Sequence, residues 1–264
     1  SLAALTGALL RGEKTPLAGE LAKIKRLSQQ RQFLVQQGAI DLAGVAALLE
    51  DCITFGTIPF SILARHAFIA QFILRSLVAR EILGADEAGR FMNSIRTVAG
   101  EMADDCRKLI ACDLARDDFL AQYGHLRPGT YDILSARYDQ RDDLFAGDTV
   151  LAAPETPAGF EPSALQVEQI DALLDSEGLG LNASALFDYM RRATAAREYA
   201  KFVFTRNISD ALEGIAAWGE AVGVNREELS YLDIHDILNT LVEINQGGVE
   251  SHLQRLAAQG RRRH

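Results

Sequence analysis

From Asn182 to Val222 the apolar residues Leu186, Tyr189, Ala193, Ala200, Val203, Phe204, Ile208, Leu212 and Ile215 return every three or four positions. An α-helix puts residues at that spacing on one face, and at 1.5 Å per residue a run of about forty residues measures ~60 Å. An element of that length sets the scale of whatever packs against it. The spacing predicts a start at Asn182 or Ser184, with Asn207 as the candidate breaking point.

The same period runs through the rest of the chain. Leu17, Leu21, Ile24, Leu27 and Leu34 form one stripe, with Lys23, Lys25, Arg26 and Arg31 between them. Asp41 is placed to cap a second helix with Leu42, Val45, Leu49 and Ile53 inside, and Gly56 is expected to end it. Thr57 as a cap and Pro59 in a first turn predict a helix running to Leu83, apolar on nearly every side and therefore central. Asp86 opens a helix whose stripe is Phe91, Ile95, Val98, Met102, Cys106 and Leu109, and a short helix follows over 117–123. Ser163 with Gln166 is a capping box, Asn225 with Glu228 caps another helix, and Asp233 precedes one expected over Ile234 to Ile244.

No alternating strand pattern extends beyond Thr149-Val150-Leu151, and no repeat of fixed period is present. The fold class is therefore all-α: an irregular multi-helix bundle with a long central helix. A single helical domain over 1–264 is expected, made of N-terminal helices 17–122, a loop 123–162 and C-terminal helices 163–264. A loop that long inside a compact chain is usually functional or a linker. The chain opens on Ser1-Leu2 rather than methionine, so a piece of a larger protein is expected.

Charge narrows the partners. Twenty-seven Lys and Arg stand against 36 Asp and Glu, a net charge of −9. That argues against nucleic acid held by bulk positive field. Cys52, Cys106 and Cys112 make no CxxC pair, and an odd count suits a reducing, cytoplasmic compartment. The best membrane candidate, Ser61 to Leu83, is interrupted by Arg65, His66, Arg75 and Arg80, so no membrane partner is expected.

Chemistry concentrates in Tyr123-Gly-His-Leu-Arg-Pro-Gly-Thr-Tyr-Asp132. Two glycines and a proline fix a tight path, while His125, Arg127, Tyr131 and Asp132 supply a titratable base, a bidentate anion clamp and two hydrogen-bonding groups. Such a loop suits a phosphate or carboxylate. The plainer alternative is that Arg127 pairs with Asp132 and His125 caps a helix end. A second cluster, Arg191, Arg192, Arg197, Glu198, Lys201 and Arg206, lies on the long helix. Arg197 and Lys201 share a face, Arg206 is half a turn out of phase, and such a stripe is ordinarily a solvated face. His66 has no His, Cys or carboxylate three or four residues away, which reads as a satisfied core histidine, and no metal site is expected. Phosphate-loop, nucleophile-elbow, zinc-protease and dinucleotide signatures are all missing.

The run Tyr123–Asp132 resembles the YGHR.PGE.D-type motif in the helical middle region of phosphoenolpyruvate-synthase-like enzymes, the group that includes rifampicin phosphotransferase. Arg197-Glu198-Tyr199-Ala200-Lys201-Phe202, preceded by Arg191-Arg192, is similar to the RE..K helix of the same region. Asn93-Ser94-Ile95-Arg96-Thr97-Val98 and Thr57-Ile58-Pro59-Phe60 resemble a subgroup, the pyruvate/phosphoenolpyruvate-binding proteins. The resemblance covers residues 55–240, with the four motifs in order.

The resemblance implies a three-part machine. An ATP-grasp domain phosphorylates a histidine, a swivelling domain carries that histidine, and a helical region presents the small-molecule acceptor. This chain departs from the whole pattern, lacking both the ATP-grasp glycine loop and a GG-x-x-[ST]-H segment; Arg65-His66-Ala67 is the nearest approach to the latter. The chain alone is expected to hold no cofactor, while ATP and Mg belong to the parent protein. His125, Arg127 and Asp132 are the catalytic candidates, and Tyr131, Arg197, Glu198 and Lys201 the substrate-binding ones. Expected partners are the swivelling phosphohistidine domain, the ATP-grasp domain and the acceptor. The reading from a different class is a helical protein-interaction or apolar-ligand module without phosphotransfer. A hydrolase built on His125 and Asp132 would lack a nucleophile.

Overall fold

The computed structural model describes residues 2–38, 40–145, 159–241 and 248–262. Among them there is no strand; the chain is all-α. The elements are α1 (Leu2–Leu10), α2 (Leu17–Gln36), α3 (Leu42–Asp51), a π-helical stretch (Cys52–Thr57), α4 (Ile58–Ala79), α5 (Ala85–Ser94), α6 (Val98–Ile110) and α7 (Arg116–Tyr123). Two 3₁₀ turns, Tyr138–Gln140 and Asp142–Phe145, lie in the loop. They are followed by α8 (Ala164–Ser176), α9 (Ala183–Ala221), α10 (Arg226–Leu229), α11 (Ile234–Asn239) and α12 (Val249–Arg261). The candidate strand at Thr149–Leu151 and the far end of the helix expected to Ile244 fall outside the described residues.

Caps set several boundaries. Asp41 accepts from the Gly44 N–H, and Ser163 and Asn225 form capping boxes with Gln166 and Glu228. Asp233 accepts from the His235 N–H, and Asn182 takes the Ala185 N–H to start α9. From there α9 runs 39 residues without a break. Asn207, fully buried, donates from its side-chain amide to the Leu48 carbonyl at 3.5 Å.

Three expectations need correcting. Gly56 does not end a helix, and Thr57 makes no side-chain cap, because the chain passes from α3 through the π stretch into α4. A proline inside a helix lacks a donor and crowds the carbonyl four residues back, here that of Phe55. The wide π turn lies at that carbonyl and accommodates the ring. The helix expected from Asp86 through Leu109 is two helices. Ile95 turns extended, with ψ at 119°, and the Thr97 hydroxyl caps α6 by accepting from Gly100.

Nor is α4 apolar all round in use. Leu63, Ala67, Ala70, Leu74 and Leu77 are buried, but Phe68 and Phe72 are 54% and 68% exposed. The joined run Leu42–Ala79 is, by length and composition, long and apolar enough to cross a membrane.

The described residues pack as two compact units. The first comprises 2–25, 55–111 and 159–202. Its core holds Leu74, Leu77, Leu83, Ile170, Leu186 and Met190 around three rings. Phe91 meets Phe187 and Phe160 edge-on at centroid separations of 5.1 and 5.8 Å, geometry that adds to area burial. The second unit comprises 26–38, 40–54, 112–145, 203–241 and 248–262. Leu42, Val45, Leu48, Ile133, Ile215, Leu229 and Leu253 form its core. Gly214 permits the approach of α3 to α9, since a Cβ there would sit 2.7 Å from a Val45 methyl.

In the first unit His66 is 2% exposed. Its Nε2–H donates to the Thr15 carbonyl at 3.0 Å, which leaves Nδ1 to accept from the Tyr189 hydroxyl at 3.0 Å. The ring is thus a satisfied neutral core histidine. Burial pushes its pKa down, against the Thr15 bond, with Arg65 lowering it further. The folded state then binds fewer protons than the unfolded one, so stability should fall as pH drops below the unfolded value of about 6.5. Urea unfolding at a series of pH values checks this, and His66→Gln should remove that part of the slope.

Candidate functional site

The loop after α7 is built around its own backbone. Gly124 leaves α7 with its N–H on the Leu120 carbonyl, and the chain returns so that Tyr138 donates to Leu126 and Asp139 to Gly124. The motif glycines serve close approach: a Cβ on Gly124 would lie 2.4 Å from the Leu120 oxygen, and one on Gly129 2.9 Å from Asp132 Cβ. Neither has positive φ. Between them Gly129 donates to Ser135 Oγ, Asp132 N–H donates to the Gly129 carbonyl, and Asp132 Oδ1 accepts from Leu134 N–H at 2.9 Å.

Arg127 nails this loop to α9. The residue is 6% exposed. Its Nη1 donates to the carbonyls of Asp132 and Ser135, and its Nη2 reaches Ser209 and, at 3.0 Å, Glu213 Oε1. Arg127 therefore meets the Asp132 backbone and not its carboxylate. Burial lowers the Arg127 pKa, while Glu213 acts to raise it. Glu213 is shared with Arg226 at 2.6 Å and Gln140 at 2.8 Å. Burial pushes the Glu213 carboxyl up, but these bonds outweigh it and hold it below the usual carboxylate range.

His125 is 2% exposed, and its carbonyl accepts from the Ser209 hydroxyl at 2.7 Å. Arg206 donates from Nε to His125 Nδ1 at 3.1 Å, so that nitrogen carries no proton. The same guanidinium donates to the Ala121 and Gln122 carbonyls, groups that the last turn of α7 leaves without helical partners. Asp210, 5% exposed, holds both Arg31 and Arg137.

The remaining candidates divide. Tyr131 and Asp132 are exposed and lie at the rim of a cavity of about 200 Å³ in the second unit, floored by Ile133, Leu212, Ile215 and Ile237. Arg197, Glu198 and Lys201 belong to the first unit. Arg197 pairs with its neighbour Glu198 at 2.6 Å and lies 5.8 Å from the Phe68 ring centroid. The structure thus joins His125, Arg127, Tyr131 and Asp132 in one loop of the second unit. Among the described residues no cluster of His, Cys, Asp and Glu could hold a metal.

Sequence reasoning passed over Ser209, Asp210 and Glu213 as partners, and set Arg206 aside as out of phase with Arg197. The signal was present: Arg206, Ser209, Asp210 and Glu213 keep three- and four-residue spacing on an otherwise apolar helix. Arg31, Arg137 and Arg226 come from distant sequence and had no local signal.

No family model, curated protein or solved structure matches this chain.

Two measurements follow from this geometry. Arg127→Met removes the donor that ties the Asp132 and Ser135 carbonyls to Ser209 and Glu213, and should lower unfolding free energy by about 2–4 kcal/mol. Tyr131→Ala and Asp132→Asn, both on the surface, should change it by less than ~0.5 kcal/mol. The depressed Glu213 carboxyl adds stability that is present above its ordinary 4.5 and lost as pH falls through the folded value. Glu213→Gln should remove that part of the acid limb in denaturant titrations.

Proposed function

We propose that this chain is the helical middle region of a phosphoenolpyruvate-synthase-like, ATP-dependent phosphotransferase, and that it presents the phosphoryl acceptor to a phosphohistidine carried by another domain of the same cytoplasmic protein. The sequence support is the resemblance of four motifs in order. The observation that carries the reading is the state of the first motif. Its loop is fixed to α9 through Arg127, Ser209 and Glu213, while Tyr131 and Asp132 stay exposed beside a cavity. A rigid loop with exposed side chains at a concave rim is what holding an acceptor in one orientation requires.

In this reading the roles divide by burial. Arg127 and His125 position the loop, Arg127 through Glu213 and Ser209, and His125 through Arg206 at Nδ1 and Ser209 at its carbonyl. Asp132 and Tyr131 meet the acceptor. ATP and Mg act in the ATP-grasp part, which this sequence does not contain. A second reading, an apolar-ligand module without phosphotransfer, is favoured by the same cavity and its aliphatic floor.

The native protein purified from its source decides between them. The phosphotransferase reading expects an intact mass far above 28.8 kDa and an acid-labile phosphohistidine formed from labelled ATP and Mg. Asp132→Asn should then slow transfer to the acceptor at least about tenfold, or 1.4 kcal/mol of barrier, with histidine phosphorylation unchanged. A native mass near 28.8 kDa overturns the reading, and transfer at the unaltered rate removes the role of this loop.

A further inference from the structure

We propose that the cavity beside Asp132 binds a small cationic molecule, a protonated amine carried on one aromatic ring or a branched aliphatic group. Volume sets the body of the ligand. The cavity measures about 200 Å³ and its floor is aliphatic, from Ile133, Leu212, Ile215 and Ile237. An apolar cavity of ~150 Å³ holds benzene, so this one takes a single ring with a short arm.

Charge sets the head. The polar groups at the rim are Asp132, Tyr131 and Ser230, and among the described residues no Lys, Arg or His lines the cavity. Among the described residues Asp132 forms no ion pair; its Oδ1 accepts only the Leu134 N–H. Arg127 and Arg226, the two arginines bonded to this turn, direct their charge to Glu213. An amine placed at the rim meets an uncompensated carboxylate and a neighbouring aromatic face, both of which attract a cation. A carboxylate or phosphate placed there meets the same negative charge and no counter-charge.

The carboxylate is also fixed before any ligand arrives. The Asp132 N–H is held by the Gly129 carbonyl, its C=O by Arg127 and its side chain by Leu134. Preorganisation of that kind reduces the entropy lost on binding. That the bound amine is the phosphoryl acceptor rests on the function proposed above; it would make the acceptor an amine-bearing molecule and not pyruvate or another carboxylic acid.

The test uses the whole 264-residue chain. Phenethylamine and 3-phenylpropionate, matched in ring and arm but opposite in charge, are titrated by calorimetry and by amide NMR. Phenethylamine should bind at least about tenfold more tightly and move the amide signals of residues 131–134. Asp132→Asn should bring the two probes to equal affinity without changing Tm, and Leu232→Trp, which fills the cavity, should weaken both. Equal binding of the two probes, binding of neither, or amine affinity unchanged in Asp132→Asn overturns the proposal. Amine binding retained in a native protein that transfers no phosphoryl group upholds this site and removes only its link to phosphotransfer.

Discussion

The second unit depends on a buried guanidinium. Arg127 carries its charge to a place where water cannot serve it, and a charge so placed survives only if its donors find acceptors. Glu213 and Ser209 on α9, and the carbonyls of Asp132 and Ser135, provide them. The loop therefore closes around the arginine as much as the arginine holds the loop. Asp210 repeats the arrangement with the signs reversed, drawing Arg31 of α2 and Arg137 of the loop onto one carboxylate of α9. Such polar junctions add little net stability compared with apolar packing of the same volume, but removing one partner leaves the others short of a bond.

The division of labour inside the motif follows from burial. His125 and Arg127 carry the chemistry that reads most readily as catalytic, and both lie beneath the surface, His125 Nδ1 held by Arg206 and the Arg127 terminal nitrogens by Glu213 and Ser209. Tyr131 and Asp132, which read less distinctively, are the ones open to solvent. Acid-base or anion-binding roles are assigned from residue type in a sequence, whereas access is decided by the fold.

Much of the fold was legible. The all-α class, the length of α9, though not its passage unbroken through Asn207, and the caps at Asp41, Ser163 and Asn225 follow from spacing and cap chemistry, which are local properties of the chain. What failed was continuity. Periodicity carried one helix through Ile95, where the chain turns extended before Thr97 caps a second, and the glycine rule ended another at Gly56, where a π turn carried it on. Both outcomes turn on a few tenths to one kcal/mol per residue, which packing overrides. At the site, the motif residues were visible but their partners were not. Arg31 and Arg226 meet Asp210 and Glu213 only because the chain folds back on itself, and local patterns hold no record of that.

The outer face of α4 carries Phe68 and Phe72 one helical turn apart, while Leu63, Ala67, Ala70 and Leu74 on the other side are buried. The first unit thus shows its surroundings a two-ring apolar step on a helix whose opposite side is core.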